Sequence, residues 1–309
     1  MTPPRVLVLG ATGFVGRHVR AAFEADGARV TAVSRTPRPA DRGDWVRLDL
    51  VAAGRDALAA LLARTRPDIL VNAVGTVWQP DPDLMRATNA DFAARLAAAV
   101  YDRPRPVRFV HLGSVHEYGP VPAGTALTED LPEHPAGAYG RTKLTGTRAV
   151  LDPGAPHAHE AVVLRIANAF GPGAPRESLL GKVAGHLKDS AGAPAVPTLR
   201  LAPLRAERDF VDVRDVARAV LAAAWAPAEA IGGRVVNIAG GRALPVRDLV
   251  RRLIALNGRP AELVEDAGAQ QVRAAGEWQQ VDIALARRLL DWKPEREVEE
   301  SLRDLLAAV

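Results

Sequence analysis

The chain has no cysteine among its 309 residues. That excludes disulfides, thiolate metal sites and every thiol nucleophile or acid. No apolar run approaches the ~18 residues needed to cross a bilayer. The first apolar run, Val6 to Leu9, is too short for a signal peptide and ends in glycine. Lysine is scarce: 36 of the 40 basic residues are arginine, and the net charge is only +4. The basic residues are scattered, with no block of five or six like charges, so the charge pattern does not call for nucleic acid. The seven histidines include no H-x-x-x-H pair. His157-Ala158-His159 lies in a Pro/Gly-rich stretch that reads as a surface loop, so no metal site is expected. These absences predict a cytoplasmic protein with no membrane or nucleic-acid partner.

What is present is alternation. Strand patterns at 5–9, 29–33, 45–48, 69–72, 107–112 and 160–166 are interleaved with helix patterns at 14–25, 54–66, 83–101 and 137–151. Strands separated by helices call for right-handed crossovers and a parallel sheet. Beyond Phe170-Gly171-Pro172-Gly173 the regularity fades. Helices are expected at 178–189, 213–225, 246–256, 284–290 and 298–308, with a Gly/Ala/Pro loop at 189–197. Strands are expected at 208–211 and 235–238.

Gly10-Ala11-Thr12-Gly13-Phe14-Val15-Gly16 follows the first strand and opens the first helix. G-x-x-G-x-x-G at that junction allows a tight turn and lets a pyrophosphate approach the backbone. The helix N-terminus then offers free N–H groups and a partial positive charge. The expected fold is therefore α/β, a Rossmann-type doubly wound parallel sheet with a smaller C-terminal substrate-binding lobe. Residues 1–169 form the nucleotide-binding domain, segments of 208–240 return to it, and 170–309 form mainly the lobe. The second strand ends in Ser34-Arg35-Thr36-Pro37-Arg38, without the carboxylate that binds the ribose 2′-hydroxyl of NAD. A serine and two guanidiniums suit a 2′-phosphate, which favours NADP(H) over NAD. The alternative for Arg35 and Arg38 is a pair of solvated loop arginines.

Tyr139 and Lys143 are four residues apart on a predicted helix and share a face. The ammonium can lower the phenol's pKa, so that the phenol exchanges a proton with a carbonyl or alcohol oxygen near neutral pH. Ser114 is placed just beyond the fifth strand, at the sheet edge where open α/β folds bind ligands. A serine there can hydrogen-bond the same substrate oxygen.

The glycine loop, Ser114 and the Tyr139/Lys143 pair, in that order, resemble the extended short-chain dehydrogenase/reductase family of nucleotide-sugar epimerases, dehydratases and ketoreductases. The likeness runs from about residue 5 to about residue 305. It implies that Ser114, Tyr139 and Lys143 are catalytic, with Tyr139 and Lys143 also cofactor-binding and Lys143 holding the nicotinamide ribose. It places Asp49 and Leu50 at the adenine and Asn72, Ala73 and Val74 near the ribose. Asn89 matches an asparagine near the active site, or else is a helix-face residue tying down a loop. Asn168 and Arg208 match residues that bind the nucleotide diphosphate, and Arg273 loosely matches a further phosphate-binding arginine. Surface pairing of Arg208 with Asp212 or Asp215, and a plain loop role for Arg273, stay open.

The residues after Ser114 narrow the reaction. Sugar 4,6-dehydratases carry an Asp-Glu pair there, and this chain has Val115 and His116. Valine cannot transfer a proton. His116 either orients or protonates substrate, or is a neutral structural histidine. Epimerase-reductases of the GDP-fucose type use a cysteine, which is absent. The stretch around Ser114 looks most like the 4-ketoreductases of antibiotic deoxysugar biosynthesis. The resemblance thus implies NADPH-dependent reduction of a nucleotide-sugar substrate, a dTDP-4-keto-6-deoxyhexose, at C4. The alternatives are a nucleotide-sugar 4-epimerase with tightly bound NAD, or an inactive NADP-sensing protein of the same fold. A homodimer pairing through 83–101 and 137–151 is expected.

Overall fold

The computed structural model describes residues 3–36, 43–77, 81–152, 154–192, 195–266 and 276–309. Its main sheet contains β1 (Arg5–Leu9), β2 (Arg29–Ser34), β3 (Asp44–Arg47), β4 (Ile69–Asn72), β5 (Arg108–Ser114), β6 (Ala161–Ile166) and β7 (Arg234–Ile238). The order is β3-β2-β1-β4-β5-β6-β7, and every pairing is parallel. The strand order reverses between β1 and β4, which opens a crevice at their C-terminal ends.

These strands are near-continuous runs of Val, Leu and Ile because both faces of the sheet are covered. The covering helices are α1 (Phe14–Ala25), α2 (Arg55–Thr65), α3 (Phe92–Tyr101), α4 (Ala138–Val150) and α5 (Val213–Trp225). Alternate residues serve opposite layers, as strand geometry requires. Val6, Val8, Val71, Val110 and Leu164 pack with Val19 and Phe23 of α1 and with Val216 and Val220 of α5. Leu7, Leu9, Leu70, Phe109 and Val163 pack on the other face with Leu58 and Leu62 of α2 and Phe92 and Leu96 of α3. Among the described residues, no helix is long and apolar enough to cross a membrane.

The helix expected over 83–101 is interrupted. A short helix Pro82–Arg86 leads into a π-helical turn, Ala87–Asp91, before α3 begins. Such turns commonly mark functional positions within helices, and this one carries Asn89.

The strand Glu207–Asp212 differs from expectation in its sheet. It joins neither edge of the main sheet. It runs with Ala243–Pro245, Trp278–Val281 and Asn168–Phe170, and the two-residue strand Ala126–Leu127 reaches over from the first half of the chain. Buried Asp209 locks this second sheet. Its carboxylate accepts the N–H groups of Gly240 at 2.6 Å, Gly241 at 3.0 Å and Val281 at 3.3 Å. Burial nevertheless pushes its pKa up to about 7. The lobe has its own core, in which Leu180, Val183 and Leu187 meet Leu199, Val250, Leu253 and Leu302.

Candidate active site

The glycine loop sits at the C-terminal end of β1, beside the switch point. Gly10 has φ +77°, and a Cβ there would stand 2.8 Å from the Ala73 carbonyl oxygen. A Cβ on Gly16 would stand 2.1 Å from the Gly10 carbonyl oxygen. Loop and helix therefore close into a turn that side chains would block. Gly13 caps α1 without any side-chain hydrogen bond, and the first turn has no acidic residue. The N–H groups of that turn remain available to a diphosphate. Thr12 and Gly13 are exposed at this mouth, while Phe14 and Val15 are half-buried behind it. Phe14 packs edge-on against His18, with centroids 6.0 Å apart. Arg17 and His18, one turn further along α1, bond the carbonyls of Gly173 and Pro172, where the chain enters the lobe.

At the end of β2, half-buried Ser34 accepts the Thr36 N–H at 3.2 Å, and Arg35 is exposed. Arg38 lies outside the described residues, as does Arg273. Asp49 is exposed and caps its own turn, accepting the N–H groups of Val51 at 3.1 Å and Ala52 at 3.3 Å. Leu50 is buried in the sheet's second layer.

Asn72 ends β4 fully buried. Its amide oxygen accepts the Val74 N–H at 3.1 Å, and its nitrogen donates to Nδ1 of His111 at 3.0 Å. Ala73 closes the loop by donating its N–H to Leu9 on β1 at 3.1 Å. Asn89 clamps the same loop. It accepts the Thr76 N–H and donates to the Thr76 carbonyl, both at 2.9 Å, and reaches Thr142 of α4 at 3.2 Å. Its amide therefore ties the β4 loop to the helix that carries Tyr139.

Ser114 is the last residue of β5 rather than the first residue beyond it. It caps the 3-10 turn Val115–Glu117 in a reciprocal box. Its hydroxyl accepts the His116 N–H at 3.3 Å, and its own N–H donates to Glu117 Oε1 at 2.7 Å. Because the hydroxyl oxygen accepts, its hydrogen is left to donate outward.

Tyr139 lies in the first turn of α4, whose N-cap is Gly137. A Cβ on Gly140 would stand 2.3 Å from the His116 carbonyl oxygen. That glycine lets α4 press onto the 3-10 turn and brings Tyr139 to the Ser114 end of β5. The Tyr139 ring meets His116 edge to face, with centroids 5.6 Å apart. One turn on, Lys143 is 4% exposed and its ammonium donates to the Leu112 carbonyl of β5. Burial pulls its pKa down to about 8, while the Glu117 carboxylate acts in the opposite direction. His111 beside it is driven well below the usual imidazole range by burial and by the Lys143 charge.

Two buried charges were not singled out from the sequence. Glu117 is 0% exposed, and its Oε2 accepts Arg165 Nε at 2.8 Å. Arg165, 1% exposed, also donates to Glu133 at 2.6 Å and stacks over the Tyr118 ring at 4.3 Å. Both residues stand in stretches recognisable in the sequence, but nothing in their type or spacing signals burial.

On the lobe side, Asn168 donates to the Asp209 carbonyl at 2.7 Å and to Gln279 Oε1 at 2.6 Å. Arg208 is half-buried on the adjacent strand. Asp212 binds Arg214 at 2.8 Å, and Asp215 binds Arg218 at 2.8 Å. Among the described residues, no group of three or more His, Asp or Glu converges as a metal site would.

Residues 6–239 match the NAD dependent epimerase/dehydratase family. A relative from Kitasatospora kifunensis, dTDP-6-deoxy-L-talose 4-dehydrogenase (NAD(P)(+)), is 41% identical over 99% of this chain and 96% of its own length. GDP-6-deoxy-D-mannose reductase of Pseudomonas aeruginosa is 27% identical over 98% of this chain and 96% of its own. Among solved structures, RMD from Pseudomonas aeruginosa complexed with NADPH superposes with a TM-score of 0.81 at 25% identity, covering 99% of this chain and 98% of that one. The chain therefore belongs to the NAD dependent epimerase/dehydratase family, as an NAD(P)-dependent extended short-chain dehydrogenase/reductase.

Proposed function

We propose that this protein reduces the C4 ketone of a nucleotide-linked 4-keto-6-deoxyhexose, the dTDP sugar in particular, using NADPH. The observation that carries this reading is the convergence of Ser114, Tyr139 and Lys143 at the C-terminal edge of β5, beside an uncapped helix N-terminus. When bound, the reduced nicotinamide supplies the hydride.

The chain's own residues handle the oxygen. Ser114 donates its hydroxyl hydrogen to the ketone and holds it in place. Tyr139 then gives the developing alkoxide its proton, the general-acid step. Lys143 stays charged at neutral pH despite its burial and stabilises the phenolate left behind. Gly10, Gly13 and Gly16 leave room for the diphosphate, and Ser34 and Arg35 face its ribose end. Asn168 and Arg208 hold the sugar nucleotide's diphosphate on the lobe side.

The names of the relatives agree with C4 chemistry. One oxidises a 6-deoxyhexose at C4 and another is a reductase. Oxidation of an alcohol and reduction of its ketone are one reaction run in opposite directions. Val115 and His116 lack the acid pair of a dehydratase, and the carboxylate-free end of β2 favours the NADPH that drives net reduction. Two copies pairing through 83–101 and α4 complete this reading, and light scattering would report their mass. The activity is tested by adding a dTDP-4-keto-6-deoxyhexose to the protein and NADPH and following the reduced-nicotinamide absorbance, with Tyr139→Phe as the control.

A further inference from the structure

The Glu117–Arg165 pair is costly to bury, because two charges leave water and their mutual attraction must repay it. A well-packed apolar pair would serve the core as well. The geometry instead divides the Glu117 carboxylate between two tasks. Oε1 takes the Ser114 N–H at 2.7 Å, which fixes the end of β5. Oε2 takes Arg165 Nε at 2.8 Å. Arg165 is itself fixed from the far side by Glu133, which lies on the loop running from Ser114 towards Tyr139 and is held in turn by Arg148 of α4 at 3.2 Å. Tyr118, under the Arg165 guanidinium, donates its hydroxyl to Asn237 at 2.9 Å. The 3-10 turn is thereby pinned to β6, β7 and α4.

The Lys143 ammonium sits on the Leu112 carbonyl, two residues before the Ser114 N–H that Glu117 accepts, and the Glu117 charge raises its pKa. Glu117 from the 3-10 turn is the charge that acts on that ammonium, neutral His111 of β5 lies beside it, Tyr139 stands one turn earlier on its own helix, and the Arg165 guanidinium of β6 is held on the other oxygen of the Glu117 carboxylate. His111 is kept neutral by its burial and by Lys143 itself, so Glu117 supplies the negative charge.

We infer that Glu117 is a positioning residue of this site, aligning Ser114 through its backbone and holding the Lys143 ammonium charged, with Arg165 fixing the carboxylate for both tasks. The inference rests on the roles proposed above for Ser114 and Lys143. Two substitutions separate the tasks. Glu117→Gln keeps an acceptor for the Ser114 N–H and removes the charge. Glu117→Asp keeps the charge, but its side chain is too short to hold Ser114 and Arg165 together.

The chain has only four lysines, so a protein labelled with 13C at lysine Cε gives few signals, and Lys143→Met identifies the relevant one. In the wild type its titration midpoint should lie at about 8. In Glu117→Gln it should fall by about one pH unit, as expected on losing a nearby opposite charge. The alkaline limb of kcat should move with it. In Glu117→Asp the midpoint should stay near the wild-type value while kcat drops about ten- to a hundredfold, the scale of a displaced reacting group. If Glu117→Gln does not fold, the kcat of Glu117→Asp still decides whether Glu117 aligns Ser114. An unmoved Lys143 midpoint, or wild-type kcat in Glu117→Asp, would overturn the inference. If the wild type oxidises no NADPH with any nucleotide 4-keto sugar, the functional reading fails instead, and the lysine titration still decides the role of Glu117.

Discussion

The His116 and Tyr139 rings meet edge to face, their centroids 5.6 Å apart and their planes at 72°. The contact gives Tyr139 an aromatic wall on the side of Ser114. An edge-to-face pair is worth about 0.5–1.5 kcal/mol, so losing it in the transition state costs about two- to tenfold in rate. His116→Phe keeps the ring edge and removes the proton, and turnover should stay within about threefold of wild type. His116→Ala should fall by up to about tenfold. Steady-state kinetics on both variants would check this. A loss of about a hundredfold or more in both variants would make the imidazole a proton-transferring group.

Tyr139→Phe retains the ring against His116 and deletes only the hydroxyl. Turnover should fall by about two to four orders of magnitude, the usual worth of a general acid. NADPH affinity should change little, since the ring, Lys143 and the glycine loop all stay in place. Fluorescence titration of bound NADPH beside steady-state turnover separates the two effects. Near-normal turnover would put the acid elsewhere.

Lys143 links activity to stability. Its folded-state pKa of about 8 lies below lysine's ordinary value of 10.5. The folded protein thus binds this proton less tightly than the unfolded chain. The ammonium destabilises the fold below pH 8, and the penalty is relieved as pH rises from about 8 towards 10.5. At about 1.4 kcal/mol per pH unit the penalty at neutral pH is about 3 kcal/mol. Lys143→Met should recover most of it, less about 1 kcal/mol for the donor lost by the Leu112 carbonyl. The variant should be nearly inactive and more stable at pH 7, with the gain shrinking towards pH 10. Denaturant titrations across that range would show it. Equal stability at pH 7 would mean that the ammonium is not penalised by its burial.

Arg35 carries the cofactor preference in this account. Arg35→Ala should weaken NADPH by roughly 1.5–3 kcal/mol, the worth of a hydrogen bond to a charged group. NADH should be nearly unaffected. Dissociation constants for both cofactors, in wild type and variant, are the check. Equal wild-type affinity for NADPH and NADH would remove the basis for the preference.

Much of this architecture was legible because the sequence carries its periodicities. Gly10, Gly13 and Gly16 and the Tyr139–Lys143 spacing are local patterns with local causes. The strands at 5–9 and 69–72 are apolar runs bounded by turns, and the structure has them at those limits. The π turn around Asn89 was not legible. One extra residue per turn leaves the apolar spacing of an alanine-rich helix almost unchanged. The lobe's short strands, such as Ala126–Leu127, hold too few residues to show a period of two. Glu117 and Arg165 were invisible as partners because they are 48 residues apart in the chain. Only the parallel pairing of β5 with β6, which sets Ser114 opposite Ile166, brings them together.

Net hydride delivery to C4 is read out by isotopic transfer. The protein would be incubated with a dTDP-4-keto-6-deoxyhexose and NADPH carrying deuterium at the transferable position of the nicotinamide. The product would then be read by mass spectrometry and NMR. One deuterium should appear at C4 of the sugar for each NADPH consumed, and the isolated protein should carry no tightly bound NAD. Stoichiometric bound NAD, with two nucleotide hexoses interconverting and no deuterium entering the sugar, would contradict net hydride delivery and establish an epimerase.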